Sequence, residues 1–367
     1  MQADFMIIGA GIAGAAAAYE LSKQGEVLLL ERETQPGYHS TGRAAALFTE
    51  AYGNATIRAL TRASRGFLTA PPNGFAATPL LTPRGVLTFA PEGREAAFEA
   101  TLHELCDTIQ EIDLDRAAAI FPPLCRTVVR RAHYEPNAMD MDVHAIHQGY
   151  LRGFRARGGK LRTGVRIDGI EPGWRVRAPG ESFAAPVLVN AAGAWADEVA
   201  ALAGVPTIGL VPKRRTVVLF DPPARAMIAT WPLAVDIDET CYVKPDAGRL
   251  LASPANETPS PATDAQPEDY EVALAIDRLQ RFTTLRVDRI THKWAGLRTF
   301  AVDKSLVAGV ATGAPGFFWR PGWLRHPDIA GDGAGHRFPC SRSRDSGRHC
   351  RRGRERCSAG PSAIWLQ

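Results

Sequence analysis

The sequence predicts a mixed α/β protein in which a parallel, doubly wound domain is interrupted by a second, more β-rich one. Three observations carry this. The first thirty-three residues alternate strand, glycine turn, helix and strand, a βαβ unit. At 367 residues, 45% of them hydrophobic, the chain exceeds what one hydrophobic core serves, so two domains are expected. The stretch 212–300 has the short apolar runs and turns of a sheet-rich domain.

In order, "DFMIIGAG" is the first strand and its turn, "IAGAAAAYELSKQG" a helix ended by Gly25, and "EVLLLERE" the second strand. A turn-rich segment follows from Gly37, "GYHSTGRAAALFTEAYG", whose alanines are expected to open another helix. Between Leu80 and His133 short strands mix with the amphipathic stretch "REAAFEATLHELCDTIQEI". "MDVHAIHQGYLRGFRARGG" reads as a helix ended by Gly158 and Gly159, with strand material around "LRTGVRIDGIE". "PVLVNAAGAWADEVAALAG" is an apolar strand turning through small residues into a helix. From Pro212 to Phe300 come "RRTVVLF", "TCYVKPDAGRLLASP" and "HKWAGLRTF", read as strand and turn, with no internal repeat. After Trp319 no period of 2 or 3.6 can be followed.

The net charge of +4 is misleading, because residues 320–367 hold ten Arg against four acids and leave the body at −2. Six cysteines are too few and too scattered for a disulfide framework, and Cys106, Cys125 and Cys241 show no metal-ligand spacing. No apolar run reaches membrane-spanning length, and the N-terminus enters a strand without a secretory leader, so a cytoplasmic location is expected. A phosphate-binding role for the Arg-rich tail is disfavoured by little Lys and no interleaved aromatics, so no nucleic-acid partner is expected. Cys340, Cys350 and Cys357 with His336 and His349 fit no familiar zinc spacing, and no metal is expected.

"GAGIAG" places Gly9, Gly11 and Gly14 at the dinucleotide spacing: one for the tight turn, one for backbone approach to pyrophosphate, one for helix-on-strand packing. The helix N-terminus then faces the anion. Glu31, seventeen positions after Gly14, ends the second strand where a carboxylate accepts bonds from ribose hydroxyls and repels a 2′-phosphate. FAD and NAD share this fingerprint. Its place at the N-terminus and the lack of a second one favour a single, tightly held, non-covalent FAD.

With "GAGIAG", Glu31, "GYHSTGRAAALF", "VLVNAAGAWAD", "PKRRTVVLF", "CYVKPDAG", "HKWAGLRTF" and "GFFW" in order from Phe5 to Trp319, the chain resembles the D-amino acid oxidase and dehydrogenase superfamily of flavoproteins, its arginine-oxidising branch most of all. The resemblance implies a glutathione-reductase-like FAD domain over residues 1–78, 139–208 and 301–319, and a substrate domain with a mixed, largely antiparallel sheet over 79–138 and 209–300. It implies that Ser40, Thr41, Gly42, Arg43, Ala44 and Ala45 form the turn near the flavin. Ile12, Ala13, Arg32 and Val165 join the cofactor contacts, and Ala191, Ala192, Gly193 and Trp195 form a second cofactor loop. Arg215 and Arg298 correspond to the pair that holds a substrate carboxylate, Tyr242 to a hydroxyl donor to the same group, and Tyr52 to a tyrosine on the pocket's mobile wall.

Physical chemistry agrees with those roles. A guanidinium binds a carboxylate through two parallel charge-assisted hydrogen bonds, fixing an amino acid with its Cα hydrogen aimed at flavin N5. Hydride leaves Cα with the neutral amine's lone pair behind it, and the imine hydrolyses to a 2-oxo acid and ammonia. Arg298 as a structural ion pair and Tyr242 as a core aromatic are the bland alternatives. Arg214, beside Arg215, reads as part of a solvated strand face. The pocket segment carries Leu47 where the arginine-oxidising branch has a histidine, and "LTPRGVLTF" lacks that branch's guanidinium-binding glutamate. With Leu47, Phe48 and Thr49 on that segment and Val86 near, a neutral or hydrophobic D-amino acid is expected. Competing readings are a flavin dehydrogenase of N-methyl amino acids or 2-hydroxy acids, and an FAD-binding protein without turnover. Electrons would pass to oxygen, a quinone or another diffusible carrier.

In that superfamily "GFFW" precedes a glycine-rich loop of the type GGYGIQTSPAMG, whereas this chain continues "RPGWLRHPDIAGDGAG". With permitted codons from Trp323, the same nucleotides read one base later encode GYGIQTSPAMGQ. The residues from Arg320 onward are therefore expected to come from a shifted frame, which would weaken cofactor affinity, turnover and stability.

Overall fold

The structure is a computed structural model that describes residues 1–320. The frame-shift expectation, and the zinc and nucleic-acid readings of the tail, fall on residues 321–367 and lie outside the described residues. The predicted class holds: two large sheets, one nearly all parallel and one largely antiparallel, with helices packed on them.

The six-stranded sheet runs in the order Gly309–Val310, Phe317–Trp319, Val187–Asn190, Phe5–Ile8, Val27–Leu30, Lys160–Arg162. All neighbours are parallel except the antiparallel edge strand Gly309–Val310. Two of its inner strands, Phe5–Ile8 and Val27–Leu30, are buried at every position. That is why they read as continuous apolar runs with no alternation. Helix Ile12–Leu21, rich in alanine, lies between them in sequence and packs against helix Val143–Ala156.

The nine-stranded sheet is built around the long antiparallel pair Val211–Phe220 and Ile290–Phe300, in register from Val211 opposite Phe300 to Leu219 opposite His292, with a bulge before Phe220. One of its pairings is parallel, Leu233–Asp236 with Val86–Pro91. Small three-stranded sheets are formed by Leu47–Phe48, Met139–Met141 and Leu81–Pro83, and by the meander Gly169–Glu171, Arg175–Ala178, Glu181–Ala184.

Three sequence expectations are corrected. The alanines 44–46 open no helix: they follow a turn and lead into strand Leu47–Phe48. The Arg43 carbonyl, which a helix would need, accepts the Trp294 indole N–H at 3.0 Å, and the Arg43 guanidinium donates to the Ala265 and Ala295 carbonyls at 3.0 Å. The helix begins instead at Ala55, capped by the Asn54 side chain, which accepts from the Ile57 amide at 3.0 Å. Nor is the stretch 212–300 all strand and turn, because Asp269–Phe282 is a 14-residue helix. It has acids in its first turn, Arg281 in its last, and Val272, Ala275, Leu279 and Phe282 on its buried face.

Arg214 does not sit on a solvated face. It pairs with Glu268 at 2.6 Å and with the buried Glu271 at 2.9 Å, tying that helix to the strand. Glu271 also accepts from the Thr216 and Thr258 hydroxyls. Burial raises its pKa, but these bonds outweigh burial and hold it below the usual range.

Candidate active site

A cavity of about 400 Å³ opens where the dinucleotide turn, the 37–45 turn, the loop after Val187–Asn190 and the central pair of the large sheet converge. The "GAGIAG" turn and second strand supply Gly9, Gly11, Ile12, Ala13, Glu31 and Arg32 to its wall. Ser40, Thr41, Arg43, Ala44 and Ala45 come from the turn, with Val165, Ala191, Ala192, Gly193 and Trp195 beside them. The same wall carries Arg215, Tyr242 and Arg298 from the large sheet. Gly14 and Gly42 lie behind that surface, and Leu47, Phe48, Thr49 and Tyr52 are not part of it.

The glycines of the turn are there for contact. Gly9 has φ +97°, and a Cβ on it would meet the Ala191 carbonyl oxygen at 2.5 Å. A Cβ on Gly14 would meet the Gly9 carbonyl oxygen at 1.8 Å. The turn is held from two further sides. Thr41 Oγ1 accepts the Ile12 amide N–H at 3.0 Å, and His147 Nε2 bonds the Ala10 carbonyl at 2.9 Å. Burial depresses the His147 pKa, so a neutral ring protonated at Nε2 serves as the donor.

Glu31 accepts the Ala10 amide at 2.7 Å through Oε2 and the Glu33 amide at 2.9 Å through Oε1, which fixes it at the end of its strand. Beside it the Arg32 guanidinium lies 4.3 Å from the Trp195 ring centre, and His39 tilts against the same indole at 4.6 Å. This set fits an adenosine diphosphate moiety. The wall has bare backbone at Gly9 and Gly11, a helix N-terminus faces the cavity, a carboxylate fixed by the Ala10 amide lines the same wall, and an aromatic shelf adjoins it.

Arg215 and Arg298 stand on the two long antiparallel strands. Arg215 lies opposite Gly296, and Arg298 opposite Lys213, so the two arginines are diagonal neighbours on one face of the sheet, with no side chain at Gly296 between them. The Arg215 Nε–H donates to the Asn256 carbonyl at 2.9 Å, and its nearest carboxylate, Glu257, is 3.9 Å away. Burial, then the like charge of Arg298, lowers the Arg215 pKa. Arg298 is 8% exposed, and its Nη2–H donates to the Tyr52 hydroxyl at 2.8 Å. Two cations held this close in a low-dielectric wall form a site for an anion, and the guanidinium fork suits a carboxylate.

Of the substrate-segment candidates, Leu47 forms an apolar cluster with Val86 and Leu233, against which Tyr242 packs. Phe48 is fully buried in the core under the parallel sheet, and Thr49 donates its hydroxyl to Glu135. Two acids with shifted pKa values carried no signal in the sequence. Glu239 sits at a turn with φ 53°; surrounding protein raises its pKa, while Arg298 and Arg215 pull it back. Glu135 is buried, and burial pushes its pKa up to about 7. The folded chain therefore binds this proton more tightly than the unfolded one. Stability is lost as pH rises from about 4.5 toward 7 and is not regained above it. Glu135→Gln should remove that slope and be at least as stable as the parent at pH 8, measured by thermal unfolding from pH 5 to 8. Among the described residues no three acids, histidines or cysteines cluster as a metal site.

The family model described as "DAO: FAD dependent oxidoreductase" matches residues 4–337. The mitochondrial dimethylglycine dehydrogenase of Rattus norvegicus is 26% identical over 272 residues, covering 69% of this chain and 31% of that protein, so the chain spans about a third of its length. Monomeric sarcosine oxidase of a Bacillus species is 25% identical over 227 residues, covering 59% of this chain and 58% of that one. Among solved structures, glycine oxidase from Geobacillus kaustophilus superposes with a TM-score of 0.75 at 20% identity, covering 88% of this chain and 89% of that chain.

Proposed function

Because this chain belongs to the DAO family of FAD-dependent oxidoreductases, we propose that it oxidises an amino acid at Cα, with Arg215 and Arg298 holding the substrate carboxylate. The observation that carries this reading is the diagonal arginine pair, Arg298 buried and Arg215 partly so, which shares one cavity with the dinucleotide turn. Bound FAD supplies the two-electron acceptor that takes the Cα hydride. Tyr242, packed on the Leu47 cluster, adds a hydroxyl to the carboxylate site, and Tyr52 steadies Arg298 from the other side. Fixing the carboxylate and excluding water around Cα is what these residues contribute, since orientation is most of the barrier reduction here.

The division of labour follows the sheets. Residues 1–78, 139–208 and 301–319 hold the cofactor, and 79–138 and 209–300 shape the substrate site. The Leu47, Val86 and Leu233 cluster beside Tyr242 favours a neutral or apolar side chain, and the expected reaction is deamination of a D-amino acid to a 2-oxo acid and ammonia. A second reading, oxidation of an N-methylated amino acid, draws on the names of the two curated relatives, dimethylglycine dehydrogenase and sarcosine oxidase. Product assay separates the two. Ammonia should appear with D-leucine, D-methionine or D-phenylalanine at a higher kcat/KM than with D-arginine or D-lysine. Faster turnover of sarcosine, with no ammonia released, would favour the second. Among the described residues no helix is long and apolar enough to cross a membrane. Comparing reoxidation by air with reoxidation by a quinone analogue identifies the acceptor.

A further inference from the structure

We propose that Glu135 is a positioning residue of the substrate site: its buried carboxylate fixes residues 49–51 so that the hydroxyl of Tyr52 is delivered to Arg298. The proposal rests on reading Arg298 as a carboxylate ligand. Glu135 closes the strand Val129–Glu135, directly opposite Val86, and is 2% exposed. Both its oxygens are engaged by the segment leading to Tyr52. The Thr49 hydroxyl donates to Oε2, and the Glu50 amide donates to Oε1 at 2.8 Å. Thr49 Oγ1 in turn accepts the Ala51 amide at 3.2 Å. Tyr52 is the next residue, and its hydroxyl accepts from Arg298 at 2.8 Å.

Among the described residues the segment is otherwise held at its ends and through the side chains of Glu50 and Tyr52. Strand Leu47–Phe48 precedes it, paired with Met139 and Asp140, and the helix at Ala55 follows. Glu50 pairs with Arg65 at 2.9 Å. In between, the turn is ordered by an acceptor that belongs to another sheet, so Glu135 couples the strand opposite Val86 to the segment carrying Tyr52. Without it two donors lose their partner and the connection regains backbone freedom, which must be lost again each time substrate binds. Such a loss weakens substrate and transition state alike, so KM rises while kcat holds.

The test uses the FAD-loaded protein with Glu135→Ala, Glu135→Gln and Thr49→Val. It measures KM and kcat for the amino acid oxidised, benzoate binding through the flavin spectrum, and amide hydrogen exchange over residues 49–54. Glu135→Ala should raise KM about tenfold with kcat within about twofold, and speed exchange at 49–54 without speeding it in the parallel sheet. Glu135→Gln should restore both, because its amide still accepts from Glu50 and meets Thr49. Thr49→Val, the milder change, should fall between and decides the matter if Glu135→Ala does not fold. Unchanged KM and exchange in Glu135→Ala or Thr49→Val, or equal losses in KM and kcat that Gln fails to rescue, would overturn the proposal. If the unsubstituted protein binds no benzoate and is reduced by no amino acid, the carboxylate reading of Arg298 fails instead. Exchange at 49–54 then still decides whether Glu135 orders the segment.

Discussion

Arg298→Met lowers kcat/KM for the preferred amino acid by about a hundred- to a thousandfold while the flavin content of the purified protein stays at the parental level. The size follows from what is lost, a charge-assisted bidentate contact in a wall where Arg298 is 8% exposed, and such truncations cost about 3–4 kcal/mol. Arg298→Lys keeps the charge but not the fork, and should recover a tenth or less of the activity lost. Beyond its proposed contact with substrate, Arg298 also donates to Tyr52. Tyr52→Phe is therefore the control, with a loss smaller by an order of magnitude or more. A loss in Arg298→Met no larger than in Tyr52→Phe would show that the arginine is structural.

Gly14→Ala should reduce FAD occupancy to under about a tenth of the parental flavin-to-protein ratio. Helix propensity argues the opposite, because alanine is the better helix former by about 1 kcal/mol. Geometry decides against propensity: the added Cβ would stand 1.8 Å from the Gly9 carbonyl oxygen, a backbone atom that cannot swing aside. Relief requires the helix start and the turn to separate, and that turn is already held by Thr41 and His147. Gly66→Ala, in a helix where a Cβ would meet nothing within 4 Å, is the matched control and should be neutral or slightly stabilising. Equal flavin content in the two variants would contradict the assignment of the turn.

What the sequence made legible is what is local. The "GAGIAG" turn, its flanking strands, Glu31 and the helix ended by Gly158 all show in neighbouring residues, and strand burial in the parallel sheet is continuous enough to read directly. What was missed depends on partners far along the chain. The alanines at 44–46 look helical, but Trp294, some 250 positions away, takes the Arg43 carbonyl. The helix Asp269–Phe282 follows the proline- and acid-rich run "PSPATDAQPED", which masks its 3.6 period. Arg215 and Arg298 become diagonal neighbours only through the register of two strands eighty residues apart, so their pairing came from resemblance and not from spacing. Glu135 gave no sign in sequence, because its partners, Thr49 and Glu50, stand 86 and 85 positions away in the turn after strand Leu47–Phe48.

The central claim is that the arginine pair presents an amino acid to FAD. Anaerobic mixing of the FAD-loaded protein with D-leucine and L-leucine, following the oxidised flavin band, tests it most directly. The account predicts full bleaching by the D enantiomer, little by the L enantiomer, and in Arg298→Met a bleaching rate at least a hundredfold slower at subsaturating substrate. Equal bleaching rates in parent and variant, or a flavin that no amino acid reduces, would contradict it.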